Sequence, residues 1–254
     1  MQELAPASDF CGTPVGPIRK TTRIRALAIA RWGGLLLVVL AFIVPFASLA
    51  QEPSAGEHAR PVQYRVDSDS SWLRVLVYRG GLLRGFGHNH VISHNDITGT
   101  VMFTQDPRQS ALTLEFRVAD LAVDEPELRA LEGADFPGQI SQKDIADTRA
   151  NMLGKKLLQA GQFPSVQIRS ERITGSMPDM EIEATVFVRG AEFTVIFPAS
   201  VEVTSDSFFA SGELEIRHAE IGLSPFKAIF GTLRVRDTLV LKYKISGSRI
   251  IASE

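Results

Sequence analysis

The chain has a single cysteine, Cys11, among its 254 residues. Residues 51–254 therefore contain no disulfide, no thiolate nucleophile and no Cys-ligated metal site, and must be held together by their core. Cys11 also lies too far upstream of the apolar segment's end to be the lipid-modified first residue of a lipoprotein. Long hydrophobic runs are scarce. The main one, Leu35 to Phe46, is shorter than the roughly 20 residues a spanning helix needs. No block of basic residues occurs after it, which argues against nucleic acid, because polyanion binding depends on clustered Lys and Arg.

Arg19, Lys20, Arg23, Arg25 and Arg31 precede the apolar run, and Ser48-Leu49-Ala50 follow it. This is the pattern of a secretory signal over residues 1–50, cleaved after Ala50, and it predicts a periplasmic or secreted protein. The competing reading is an uncleaved anchor in which Gly33 and Gly34 extend the run and Pro45 is tolerated. Loss of the leader removes five of 27 basic and two of 29 acidic residues, leaving 22 against 27 and a net charge of −5.

Catalytic signatures fail at particular residues. Gly85-Phe86-Gly87 begins like a dinucleotide loop, but His90 stands where the third glycine belongs. Gly222-Leu223-Ser224-Pro225-Phe226 lacks the last glycine of a nucleophile elbow. Glu213 and Glu215 share a strand face, but their alternation with Leu214 and Ile216 marks a solvated outer surface rather than a glycosidase pair. No reaction is assigned, and no cofactor is expected.

Residues 51–62 are polar, proline-bearing and aperiodic, the composition of a flexible linker. From Gln63 to about residue 248 period-two patterns recur. Leu73, Val75 and Val77 alternate with Arg74 and Leu76; Leu112, Leu114, Phe116 and Val118 with Thr113, Glu115 and Arg117; Val166 and Ile168 with Gln167 and Arg169. Ile182 to Val188, Leu214 to Arg217, Leu233 to Arg236 and Leu239 to Ile245 repeat the pattern. Strands with one apolar and one charged face need the apolar faces covered, which points to a barrel or sandwich. One clear helix interrupts them near residues 141–160. Ser141 can cap it with Asp144 in the capping-box position, and Gly154 can end it. Such a helix fits across one end of a barrel as a lid or plug.

Several of these segments resemble the YceI-like family. They are Tyr64-Arg65-Val66-Asp67 with Ser71 and the Trp72–Tyr78 strand, Gly99-Thr100-Val101, Asn151-Met152-Leu153, the stretch from Leu157 to Phe163-Pro164, and the closing Gly212–His218 and Leu233–Asp237 strands. The resemblance covers about residues 63–246 and rests on the order and spacing of the segments. It implies an all-β, lipocalin-like antiparallel barrel of about eight strands, whose members are exported proteins that bind isoprenoid or other amphiphilic lipids. The candidate interior residues are Val75, Val77, Leu112, Leu114, Phe116, Ile182, Val186, Phe193, Phe197, Leu214, Ile216, Leu241 and Tyr243. With Phe208 and Phe209, the aromatics among them either line a cavity or fill it.

Three of the five histidines, His88, His90 and His94, fall within seven residues. His88 and His90, two apart on an extended segment, have a workable spacing for zinc or copper, with His94, Asp96 or His218 as a third ligand. The plainer reading is a glycine-rich turn whose imidazoles make polar contacts at the barrel mouth, with backbone or with a polar or anionic lipid headgroup. The apolar loop from Ile221 to Gly231 needs a cover: the 141–153 helix, a partner, or a membrane surface through which lipid is exchanged. The expectation is a binding protein for an amphiphilic lipid; the rivals are a metal-binding or redox-accessory protein built on His88 and His90, and a ligand-free structural domain.

Overall fold

Alternating segments become strands because successive side chains of an extended chain point to opposite sides, so each apolar row can face one common interior. The computed structural model describes residues 61–251. Twelve strands form one antiparallel sheet: β1 (Val62–Val66), β2 (Trp72–Gly80), β3 (His90–His94), β4 (Thr98–Phe103), β5 (Ala111–Arg117), β6 (Ala122–Val123), β7 (Ser165–Ser176), β8 (Asp179–Val188), β9 (Ala191–Val203), β10 (Ser207–Arg217), β11 (Lys227–Ala228) and β12 (Leu233–Arg249). Two helices interrupt them, α1 (Pro126–Leu131) and α2 (Gln142–Leu153).

The long β12 closes the ring. On one edge it pairs with β10 from Thr238 to Ser248, and on the other it pairs first with β2 and then, through Gly247–Arg249, with β1. The pairs β1 and β2, β3 and β4, and β5 and β6 each make one interrupted stave, which gives a closed eight-strand barrel. Its first and last strands pair with each other, so no further strand is needed to complete it. The break between β1 and β2 is a single 3-10 turn at Ser68–Ser70, stitched to the far end of the chain where Ser246 N–H donates to Ser71 Oγ at 3.0 Å.

The two ends differ. The base carries short connections at 104–110, 177–178 and 204–206, and is closed by Tyr64, whose hydroxyl donates to Thr204 O at 2.7 Å while its ring meets Phe208 edge-on at 5.6 Å. The rim carries the long connections: 81–89, 124–164 with both helices, and 218–232. Ser141 caps α2 as expected, accepting from Asp144 N–H at 3.1 Å, and Gly154 ends it.

The sequence reading missed α1. Residues 124–140 fold back over the outer face of β2 and β3, where Leu76, Val91 and Phe136 are buried together with Tyr78, Leu128 and Val240 packed around them. Glu132 pins this segment, accepting from Arg74 Nη1 at 3.2 Å and from Lys242 Nζ at 2.6 Å; the hydrogen bond from Lys242, helped by the Glu132 charge, outweighs the cost of burial and raises the Lys242 ammonium above its ordinary pKa. The outer face here is a second small core, which explains why Leu76 sits among polar neighbours in the alternation. Strand structure runs from Val62 to Arg249. The expected signal peptide, and the linker as far as residue 60, lie outside the described residues.

Candidate functional site

The barrel is hollow. A cavity of about 460 Å³ runs between the inward rows of its strands, a size typical of small-molecule sites. All the interior candidates except Phe193 stand in its wall, and so do His88 and His90. Phe208 faces in as well, whereas Phe209 faces out beneath the Lys244 ammonium, 5.4 Å from its ring centroid. Phe193 lies on the inward row of β9 but packs at the rim against Gly222, whose left-handed φ of 65° and missing Cβ let the ring sit flush; any Cβ there would collide with it.

Two features keep the space open. Its wall is largely aliphatic, and in paired strands such as β2 and β12, Val75 faces Leu241 and Val77 faces Leu239, rows too short to meet their counterparts across an eight-strand ring. Tyr243 is the main polar group in the shaft. Its hydroxyl donates to the Pro198 carbonyl, its ring meets Phe197 edge-on at 5.7 Å, and burial pushes its phenol well above the ordinary pKa. Gly212, opposite Tyr243 on β10, leaves room for that hydroxyl. The bond bridges a seam, because β9 and β10 pair only through residues 200–203 and 208–211.

At the rim α2 lies over the cavity: Thr148, Asn151 and Met152 line it from the helix, and Leu157 and Leu158 from the turn that follows. The polar residues of the mouth include Arg79, His88, His90, Arg234 and His218, and no Asp or Glu stands in the wall among the described residues. His90 is held from behind. Its Nδ1 lies 2.6 Å from Asp124 Oδ2, while Asp124 Oδ1 accepts from Val91 N–H at 3.0 Å and from Arg129 Nη1 at 2.6 Å. Arg129 also donates to Asn89 O at 2.7 Å and Pro137 O at 3.3 Å, but its buried Nε finds no partner among the described residues. Asn89 accepts from Arg79 N–H at 2.9 Å and donates to Asp135 O at 2.7 Å, completing the frame. Burial opposes charge on Asp124, but its bonds to His90, Val91 and Arg129 outweigh burial and hold the carboxyl below its ordinary pKa. Asp124 sits at a left-handed φ of 57°, a conformation Asp tolerates when its side chain is tied down.

The histidines do not gather as a metal centre would require. The His88 and His90 rings are 6.4 Å apart, His94 is buried against Phe116 with Nε2 3.0 Å from Asp96 O, and His218 Nδ1 is 2.7 Å from Asp237 O. Among the described residues no three His, Cys, Asp or Glu side chains converge on one point. Sequence reasoning missed Asp124, Arg129 and Arg79. Pro126 followed by Leu128 and Leu131 is a helix-start signal that would have found α1, and with it Arg129 one turn in; nothing in the sequence connects Asp124 to His90.

A closed, lidded barrel around an apolar shaft with a polar mouth belongs to the class of lipocalin-like proteins, consistent with binding of a hydrophobic ligand. The YceI-like domain matches residues 64–246, most of the chain, and the protein belongs to that family. Among solved structures the fold is similar to Burkholderia cenocepacia BcnA, at 14% identity over 71% of this chain and 98% of that one, with a TM-score of 0.53. It is also similar to the Campylobacter jejuni YCEI protein, at 10% identity over 63% and 85% of the two chains, with a TM-score of 0.44. No curated protein sequence matches the chain.

Proposed function

We propose that this protein is exported and encloses an amphiphilic, isoprenoid-type lipid, holding it for storage or transport. The observation that carries the reading is the 460 Å³ apolar cavity under a helical lid. Filling such a space with hydrocarbon gains about 25 cal/mol for each Å² of apolar surface removed from water. The chain of the ligand runs down the shaft toward Tyr243, and its head stays at the mouth beside His88, His90 and Arg79. Because the wall there offers imidazoles and guanidinium groups and no carboxylate, the head carries acceptor oxygens. Export is supported by the charged leader and apolar run before Ala50.

Native mass spectrometry of residues 51–254 secreted from a bacterial host, compared with the denatured mass, tests the reading. The expected result is a discrete adduct of lipid mass that extracts into organic solvent. A protein that carries no adduct and takes up no isoprenoid lipid, phenol or fatty acid offered to it would sink the proposal.

A further inference from the structure

Large exposed apolar residues are individually ordinary on a protein surface, but a cluster of them is not. Leu131, Met177, Ile196 and Ile251 are exposed singly, on α1, a base turn, β9 and the C-terminal end. Three others lie together at the rim. Leu82 is 88% exposed, Phe86 80%, and Phe230 wholly so, and their two loops are joined where Leu83 N–H donates to Thr232 O at 2.9 Å. The same loops frame the cavity, which Gly87, Phe226 and Leu233 line from within. Rim loops that needed only to cover the shaft would turn their aromatics inward, as Phe226 does.

The two chain segments that carry this apolar tip hold charge of one sign; the nearest acids in sequence, Glu220 and Asp237, flank the second segment, and Glu220 is engaged by Arg217. The stretch 79–90 contains Arg79 and Arg84 and the stretch 221–236 contains Lys227, Arg234 and Arg236, with no Asp or Glu in either. None of these five is among the described ion pairs, in a protein whose net charge is negative. Arg84, Lys227 and Arg234 are exposed beside the apolar tip. Arg79 is tied to the Gly87 carbonyl at 2.6 Å and Arg236 lies over the Tyr78 ring at 5.7 Å, which leaves Arg84, Lys227 and Arg234 as the cations beside the tip. Exposed apolar side chains next to exposed cations match the layered chemistry of a bilayer whose surface is anionic, with hydrocarbon below and phosphate at headgroup level.

We infer that the rim loops at 81–89 and 226–232 dock the barrel, mouth down, on an anionic lipid bilayer, with Leu82, Phe86 and Phe230 entering the headgroup boundary and Arg84, Lys227 and Arg234 meeting lipid phosphates. This rests on the cavity being a lipid site for its purpose, though not for its geometry. Docked in this way, the mouth opens into the layer that holds the ligand, and an apolar chain passes between bilayer and shaft without crossing water.

The test is co-sedimentation of residues 51–254 with vesicles of phosphatidylcholine containing phosphatidylglycerol and with vesicles of phosphatidylcholine alone, for the native sequence and for a combined Leu82→Ser, Phe86→Ser, Phe230→Ser variant. Lipid uptake from ethanol dispersion is measured in parallel, and it reports on the cavity independently of docking. The native protein is expected to pellet with the anionic vesicles and much less with the neutral ones. The variant is expected to lose at least about tenfold in partition, the size expected for withdrawing three large side chains from an apolar layer, while its uptake from dispersion is retained. Arg84→Glu with Lys227→Glu is expected to abolish the preference for anionic vesicles. Equal pelleting of native protein and variant, or no preference for the anionic surface, overturns the inference. So does a concentration-dependent dimer that the variant loses without any vesicle binding, which would make the tip a contact between copies. Vesicle binding by a native protein that takes up no lipid would leave the docking surface standing and remove the carrier function instead.

Discussion

Asp124 Oδ2 lies 2.6 Å from His90 Nδ1, and this contact decides which ring nitrogen of His90 faces the cavity. A carboxylate held ionised can only accept, so Nδ1 carries a proton and donates it to Asp124, leaving Nε2 as the ring nitrogen available to the mouth. The two residues are 34 apart in sequence and meet because β6 pairs antiparallel with β3, a ladder that Asp124 continues by donating its N–H to Val91 O at 2.8 Å. Arg129 makes the arrangement tolerable by neutralising a carboxylate that is otherwise fully buried.

Replacing Asp124 by Asn keeps the shape but leaves Arg129 buried without its counter-charge. Destabilisation of about 3–5 kcal/mol is expected, read from urea unfolding at neutral pH. The pH dependence has a definite sign. A carboxyl held below its ordinary value of 3.8 contributes stability that is fully present above that value and is lost as pH falls through the lower folded-state value. The difference between native protein and variant should therefore be constant from pH 5 to 8 on that scale and close only below about pH 4. A gap that closes near neutrality would mean that Asp124 is not held ionised.

Tyr243→Phe removes the bond to Pro198 and leaves that carbonyl facing the seam between β9 and β10. A loss of about 1–2 kcal/mol is expected, with faster amide exchange in β9 above residue 199 than in β8. Unchanged exchange there would show that the seam is held by something else.

Leu241 faces Val75 and Leu214 in the middle of the shaft. Leu241→Trp should fill open space rather than displace neighbours, so stability should change by less than about 1.5 kcal/mol while lipid adducts in the native mass spectrum disappear. Persistence of the adduct in a folded variant would place the ligand outside the cavity.

Ser141→Ala deletes the cap of α2, at a cost of about 1 kcal/mol. Because Met152 and Asn151 hold the lid over the cavity from the same helix, lipid release into acceptor vesicles should quicken, with the bound mass unchanged. An unaltered release rate would show that α2 does not gate the mouth.

Much of this architecture is legible in residue order. The alternation at 73–77, 112–116 and 239–245 assigns the inward row of each strand, and the structure puts those same residues on the cavity wall, whereas Val118, the next in the second row, lies past the end of β5 in a 3-10 turn. The Ser141 cap and the Gly154 stop also read correctly, because capping is a local exchange of hydrogen bonds. Phe193 shows the limit of this reading: it occupies an inward position on β9, yet the glycine that receives its ring is Gly222, on another strand connection. Leu76 shows the opposite case: it falls on the outward row of β2, yet α1 and Phe136 bury it from outside.

Taken alone, the sequence determined which face of each strand is apolar, where the lid helix begins and ends, and that no cysteine chemistry operates after residue 50, since each of these depends on neighbours a few positions away. Tertiary structure decided the rest. Hollowness depends on the radius of the ring against the summed reach of side chains from eight staves, which no single strand encodes. The ionised Asp124 behind His90, and the joining of the loops that carry Phe86 and Phe230, depend on closure of a barrel whose contacts span up to 187 positions, as where Ile250 N–H donates to Gln63 O.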